Sequence, residues 1–322
     1  VNATEPQRVA LIPSVSYGMA TVAKNLPLKA GDEIIIAADQ FPSNYYSWQR
    51  LAEQQDAKLV TVGVADGPDK GQRWNEALLA AVNERTAAVA ISHLHWAEGV
   101  RFDLAGLRRA TDEVGAWLII DGTQSVGALP FDVQQIRPDA LICAAYKWLM
   151  GPYSTAVAYY GPALDNGTPI EENWINRKDS HDFRNLVNYQ PEYQPYAGRY
   201  CVGEHSNFIL TPMMEVAFQQ LNAWGVDRIQ AYCKALNAPF LAELESLGYT
   251  ILPADQRAEH LVGVGLPAGM EMQKLQAALA EAKVLVSMRG QSVRIAPNVY
   301  NDAQDWQRLL TVLKSITTTA AV

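Results

Sequence analysis

The sequence predicts an α/β protein of two domains, a large one built on a mostly parallel sheet flanked by helices and a smaller C-terminal α+β one. Three observations carry this. Short apolar runs alternate with helix-like stretches through the first half, the pattern of strands buried on both faces and joined by crossover helices. A segment at 165–208, rich in Asn, Asp, Pro and Tyr, breaks that rhythm. Past Gly225 the alternation restarts. The 322 residues suffice for about two domains, and we expect them at 1–225 and 226–322.

The runs at 34–38, 59–62, 87–91, 117–120, 140–144 and 155–160 read as strands, because their near-continuous apolar character suits burial on both faces. Helix-like stretches lie at 18–27, 44–55, 74–83 and 104–115. Right-handed crossovers limit how such units connect. The excursion at 165–208 holds Trp174, Tyr189, Tyr193, Tyr196 and Tyr200. It reads either as a surface loop with aromatic anchors or as a lid or dimer-contact segment, since connections this long are usually functional or mobile. A helix from about Pro212 to Trp224 follows, with Gly225 suited to its end. A helix at 227–246, a strand at 260–265, a helix at 271–282 and a strand at 284–287 complete the smaller domain. No internal repeat is apparent.

Composition excludes several classes. The chain is 49% hydrophobic and 19% charged, ordinary for a globular protein. A formal net charge of −8 without a basic stripe argues against nucleic acid or an anionic membrane as partner. There is no apolar run of about eighteen residues to span a bilayer, and no signal peptide is visible. Cys143, Cys201 and Cys233 are odd in number and far apart. They match neither a metal site nor a disulfide framework, so we expect small core residues in a reduced, cytoplasmic enzyme. The chain opens on Val1 and runs almost at once into a loop with cofactor-binding character. We therefore expect that a leader was removed or that an N-terminal arm is missing.

Two polar residues stand out at strand ends, where ligands of open α/β sheets bind. The strand at 117–120 ends in Asp121-Gly122-Thr123-Gln124-Ser125. A carboxylate there is costly unless it meets a positive partner, and a protonated pyridine nitrogen is one. Asp-Gly alone also reads as an ordinary turn. After the strand at 140–144 comes Tyr146-Lys147-Trp148-Leu149-Met150-Gly151-Pro152. A lysine among apolar neighbours loses its charge more easily, which suits a Schiff base. By itself it also reads as a lysine snorkelling to the surface.

Together the two segments resemble those of the class V aminotransferases and their relatives, the cysteine desulfurases, selenocysteine lyase, kynureninase and isopenicillin N epimerase. These families pair Asp-Gly-[Thr/Ala]-Gln with a downstream [Tyr/His]-Lys-x-x-x-Gly-Pro. The resemblance implies the fold type I architecture of pyridoxal-phosphate-dependent transferases, with pyridoxal 5'-phosphate as cofactor. It further implies that Lys147 carries the cofactor as a Schiff base, Asp121 pairs with the pyridine nitrogen, Gln124 reaches the ring oxygen and Thr123 packs under the ring. His93, in Ser92-His93-Leu94-His95-Trp96, matches the family's stacking position and is suited to moving protons near the reacting carbon. A satisfied core histidine is the other reading of His93, and His95 reads equally as a pocket residue or as packing.

The phosphate is expected at Ser14-Val15-Ser16-Tyr17-Gly18, where a helix start offers N–H groups and a positive dipole end. Val15, Ser16 and Tyr17 match the family's cradle, though a plain Ser N-cap also explains the serine. Tyr146 adds a hydroxyl donor, as in kynureninase-like members. Desulfurase-like members have a serine where this chain has Ala144. The family implies a homodimer with active sites at the subunit interface, and its Gly-Thr phosphate contact from the partner has no match in Tyr200-Cys201-Val202-Gly203-Glu204-His205-Ser206-Asn207. Ser206 and His205 are the candidate substitutes, while Glu204 repels phosphate.

The stretch from Arg289 to Asn301 contains Arg294-Ile295-Ala296-Pro297-Asn298-Val299-Tyr300-Asn301. It resembles the C-terminal motif whose arginine grips the substrate α-carboxylate, a fork that matches a carboxylate's two oxygens. That role falls to Arg294, with a structural ion pair as the alternative. No cysteine lies between Val286 and Arg294, which argues against a desulfurase that forms a persulfide on the protein. An aminotransferase is the expected activity. The alternatives are a C–S or C–Se β-lyase and an epimerase or kynureninase-like hydrolase. A non-catalytic relative is disfavoured because Lys147 and Asp121 are both present.

Overall fold

The computed structural model describes residues 1–67, 69–289 and 292–320. Its elements, in chain order, are β1 (Val9–Ile12), α1 (Val15–Asn25), β2 (Glu33–Ala37), α2 (Tyr46–Gln55), β3 (Lys58–Val62), α3 (Lys70–Ala81), β4 (Thr86–Ser92), α4 (Leu104–Val114), β5 (Trp117–Asp121), α5 (Val133–Ile136), β6 (Ala140–Ala144) and β7 (Ala156–Tyr160). After a long irregular segment come α6 (Leu210–Trp224), α7 (Val226–Ser246), β8 (Thr250–Ile251), β9 (Val262–Gly265), α8 (Met272–Glu281), β10 (Ser287–Arg289), β11 (Ser292–Ile295) and α9 (Ala303–Ala320).

The chain forms two compact units. The first comprises Val1–Gly63, Trp74–His93 and Asp103–Ala223. Its seven-stranded sheet has the order β1-β7-β6-β5-β4-β2-β3. The pairs β2–β3, β2–β4, β4–β5 and β5–β6 are parallel. β7 runs antiparallel to β6, and β1 antiparallel to β7, so the sheet is mostly parallel. Every residue of β2 and β6 is buried, which explains their unbroken apolar runs. On one face, Met19 and Val22 of α1 and Trp48 of α2 pack in a core with Ile34, Ile36, Ile119 and Ile142. Local chemistry starts the helices. Ser14 caps α1 by accepting the Tyr17 N–H at 3.2 Å. Asp103 caps α4 at the Gly106 N–H, and the left-handed Gly115 ends it.

The second unit comprises Val64–Arg73, Leu94–Phe102 and Trp224–Val322. It holds a four-stranded antiparallel sheet of order β10-β11-β9-β8. Its core joins Val262, Val264, Val293 and Ile295 to Leu241, Leu275, Trp306 and Leu310. Two short pieces from the first half of the sequence thus belong to this unit, because Val100 bridges to Arg257, the Arg101 N–H donates to the Gln256 carbonyl and the Gln72 N–H donates to Gln256 Oε1.

Several elements differ from expectation. β1, β8 and α5 are two to four residues long, too short to show a periodicity. The strand expected at 284–287 lies instead at 287–289, and β11 falls inside the stretch read for its arginine. α9 was not expected. The excursion is irregular and tied down by its own side chains. Tyr200 is buried, with its hydroxyl donating to the Leu164 carbonyl, Tyr193 donates to Glu172, and the Arg177 guanidinium lies 4.2 Å from the Tyr193 ring. Cys143, Cys201 and Cys233 are free and buried. No helix among the described residues is long and apolar enough to cross a membrane.

Gly127, just past the end of β5, has φ +98°, and a Cβ there meets the Trp148 carbonyl oxygen at 2.3 Å. Gly127→Ala is therefore expected to lower stability by about 1–3 kcal/mol from the backbone conformation alone, with the clash adding to it. Urea unfolding measures this, and an unchanged midpoint contradicts it.

Candidate active site

Sheet order gathers the site. β5 lies between β4 and β6, so the segments leaving the ends of these strands emerge side by side. β4 registers Ser92 opposite Asp121 of β5, and the His93 N–H donates to the Asp121 backbone carbonyl at 3.2 Å. β5 in turn registers Asp121 opposite Ile142 of β6. Beyond β6, the connection to β7 carries Tyr146, Lys147 and Trp148. It is held by Ala145 N–H to the Thr155 carbonyl (3.0 Å) and Gly151 N–H to the Ala145 carbonyl (2.8 Å).

Asp121 is 6% exposed. Its carboxylate accepts the Thr123 N–H at 2.9 Å. Burial raises its pKa, opposed by the hydrogen bonds from Thr123 and the positive charge of Lys147. The Thr123 hydroxyl accepts the Ala144 N–H at 3.1 Å, which ties the Asp121 turn to the end of β6. Gly122 sits where a Cβ meets Cys143 Sγ at 2.7 Å. The indole N–H of Trp148 donates to Gln124 Oε1 at 3.1 Å. That bond occupies the amide's acceptor and orients the NH₂ group as the donor a ring oxygen requires. Lys147 Nζ lies 5.4 Å from the Phe41 ring and 5.9 Å from the Tyr146 ring, an aromatic setting for an amine.

His93 is half-buried, edge-on to Phe131 at 5.5 Å between centroids. At the start of α1, Val15 is buried and Ser16 exposed, and Ser16 Oγ lies 2.9 Å from Ser14 Oγ. The Tyr17 N–H is used by the Ser14 cap. Burial and Glu171 raise the Tyr17 phenol well above its ordinary pKa. Tyr146 is exposed, with its ring 4.7 Å from that of Tyr153. In the stretch offered for the partner contact, Glu204 accepts a hydrogen bond from the Trp174 indole at 3.4 Å.

The first unit thus brings together Asp121, Thr123, Gln124, His93 and Lys147. His95 belongs to the second unit, where it is fully buried with its ring edge-on to Phe102. Arg294 also lies in the second unit, half-buried on β11, with one arm on the Trp96 carbonyl and the other 3.4 Å from Ser287 Oγ. Gly290 and Gln291, quoted with it, lie outside the described residues. Sequence reasoning missed Phe41 and Trp148. An aromatic beside a buried strand end was the available signal for the first, and its place next to Lys147 for the second.

The donor set fits pyridoxal phosphate. A deeply buried carboxylate calls for a cationic partner, which a protonated ring nitrogen would supply. An amine on the neighbouring loop suits an aldehyde. The capped start of an eleven-residue helix suits a phosphate.

Known proteins agree. The family model described as aminotransferase class-V matches residues 1–309. An uncharacterized aminotransferase of Bacillus subtilis, YcbU, is 24% identical over 319 residues, covering 95% of this chain and 78% of the relative. Isopenicillin N epimerase of Streptomyces clavuligerus is 24% identical over 346 residues, covering 97% of this chain and 81% of the relative. The cystine C-S lyase C-DES, solved with its reaction product cysteine persulfide, superposes with a TM-score of 0.85 at 18% identity, covering 97% of this chain and 82% of that one. At that identity the superposition establishes the fold. With the family model matched from the first residue into the last helix, the chain belongs to the class V aminotransferase family, whose cofactor is pyridoxal 5'-phosphate.

Proposed function

We propose that the protein is an aminotransferase that acts at the α-carbon of an amino acid. The observation that carries this reading is the buried Asp121 carboxylate, offset by the charge of Lys147 on the adjoining loop. Pyridoxal phosphate supplies the electron sink that delocalises negative charge developing at the α-carbon. The chain's residues do the rest. Asp121 would keep the proton on the ring nitrogen. Lys147 would anchor the cofactor and serve as the base for the α-proton. Thr123 and Gln124 would contact the ring and its oxygen, with His93 beside them. Val15, Ser16, Tyr17 and Tyr146 would hold the phosphate, and Arg294 would grip the substrate carboxylate. The proposal includes the domains 1–225 and 226–322, a homodimer and a cytoplasmic setting.

The relative named as an aminotransferase supports this reading. So does the absence of a cysteine between Val286 and Arg294, since a persulfide-forming enzyme needs a thiol. A second reading, cleavage of a C–S bond, is favoured by the likeness to a cystine C-S lyase. One half-reaction separates the two. An amino acid given without an acceptor is expected to yield one equivalent of keto acid per site and then stop. Continuous release of pyruvate with ammonia or sulfide selects the lyase.

Replacing Lys147 by alanine is expected to abolish the visible absorbance of the bound cofactor and to slow turnover by at least about 10²-fold, the scale of a lost general base. A retained visible band rules Lys147 out as the anchor.

Asp121 gives a pH prediction. Its folded pKa is raised, so the folded protein binds the more protons, and stability falls as pH rises from the ordinary carboxylate value near about 4 through the raised one. Asp121→Asn is expected to raise the melting temperature of the cofactor-free protein at neutral pH and to leave it unchanged in acid. The same substitution is expected to weaken the stabilisation that added pyridoxal phosphate confers. A cofactor-free variant no more stable than the parent at neutral pH contradicts the burial argument.

A further inference from the structure

The second unit carries two arginines that form no ion pair among the described residues. In the β10–β11 pair, Ser287 is registered with Arg294 and Arg289 with Ser292. Arg289 and Arg294 are therefore diagonal neighbours on one sheet face, about 7–8 Å apart at the backbone. Both reach Trp96, Arg289 with its guanidinium 5.2 Å from the indole ring centroid and Arg294 through the Trp96 carbonyl. Arg289 also donates to the Met288 carbonyl at 2.8 Å and Arg294 to Ser287 Oγ at 3.4 Å, both neutral acceptors. The Nε atoms of both are buried and meet no acceptor among the described residues, and neither arginine forms an ion pair there. Other half-buried cations of the same unit are paired, Arg257 with Glu259 and Lys70 with Glu98 and Asp66. Burial, and then the neighbouring Arg289, disfavour the charge of Arg294.

Two like charges held together away from water cost stability. A ligand with one carboxylate matches one guanidinium fork and leaves the other charge uncompensated. A ligand with two matches both. We propose that Arg289 and Arg294 form a two-armed anion site whose ligand is a dicarboxylate of four or five carbons, either an amino dicarboxylic acid or the corresponding 2-oxo acid. This rests on the reading of Arg294 as the carboxylate grip. Arg289 then sets specificity by reading the second acidic group, and the stacked Trp96 ring holds its guanidinium plane in place.

Amine-free acids test this without turnover. Cofactor-loaded protein is titrated calorimetrically with succinate and glutarate, and with butyrate and valerate as monocarboxylates of equal length. The dicarboxylates are expected to bind roughly tenfold or more tightly, the scale of an added charge-assisted pair. Arg289→Gln is expected to erase that preference while leaving the monocarboxylates unchanged. Arg289→Lys, which keeps the charge and loses the fork, falls between. Arg294→Gln is expected to weaken both kinds of acid. Equal affinities in the parent, or a preference that survives Arg289→Gln, overturn the two-armed site while the carboxylate grip stands. Undiminished binding in Arg294→Gln overturns the grip and this site with it. Displacement of succinate or glutarate by aspartate or glutamate identifies the donor amino acid, and displacement by oxaloacetate or 2-oxoglutarate the acceptor. Displacement by neither overturns the proposal.

Discussion

The burial of the Asp121 carboxylate constrains everything around it. An ion at the end of a central strand loses most of its hydration, a penalty of several kcal/mol. Part is offset locally, by the Thr123 N–H and by the charge of Lys147. The second depends on β6 lying beside β5. Moving Asp121 to a sheet edge would remove the burial that makes a charged ring its natural partner. Moving β6 away from β5 would remove the lysine.

The turn after β5 carries this arrangement into detail. Gly122 and Gly127 let the backbone approach Cys143 and Trp148 to distances no side chain permits. That closeness lets Thr123 reach the end of β6 and Trp148 reach Gln124. The Asp121 turn and the Lys147 loop are thereby one interlocked piece, with residues about 26 positions apart in sequence facing one site. Preorganisation of this kind, with little left to rearrange on binding, is what a positioned cofactor requires.

Much of this was legible in the sequence, for physical reasons. β2, β4, β5, β6 and β7 are buried on both faces, and that burial writes an unbroken apolar run. Asp121 and Lys147 stand out because they are polar groups at the ends of such runs. Other features left no comparable mark. β1 and β8 are four and two residues long, too short for an alternation to stand out. The strand expected at 284–287 stopped short of Arg289 and none was expected at Ser292–Ile295, so the shared face of Arg289 and Arg294 left no mark. Trp148 and Phe41 look like core packing wherever they fall. His95 had two readings of equal merit in the sequence, and it is fully buried with its ring edge-on to Phe102.

The account stands most directly on where the cofactor is attached. Protein loaded with pyridoxal phosphate is reduced with borohydride, digested and mapped by mass spectrometry. The account predicts the cofactor's mass fixed on the peptide containing Lys147 and on no other lysine. Attachment to a different lysine, or none after full loading, contradicts it.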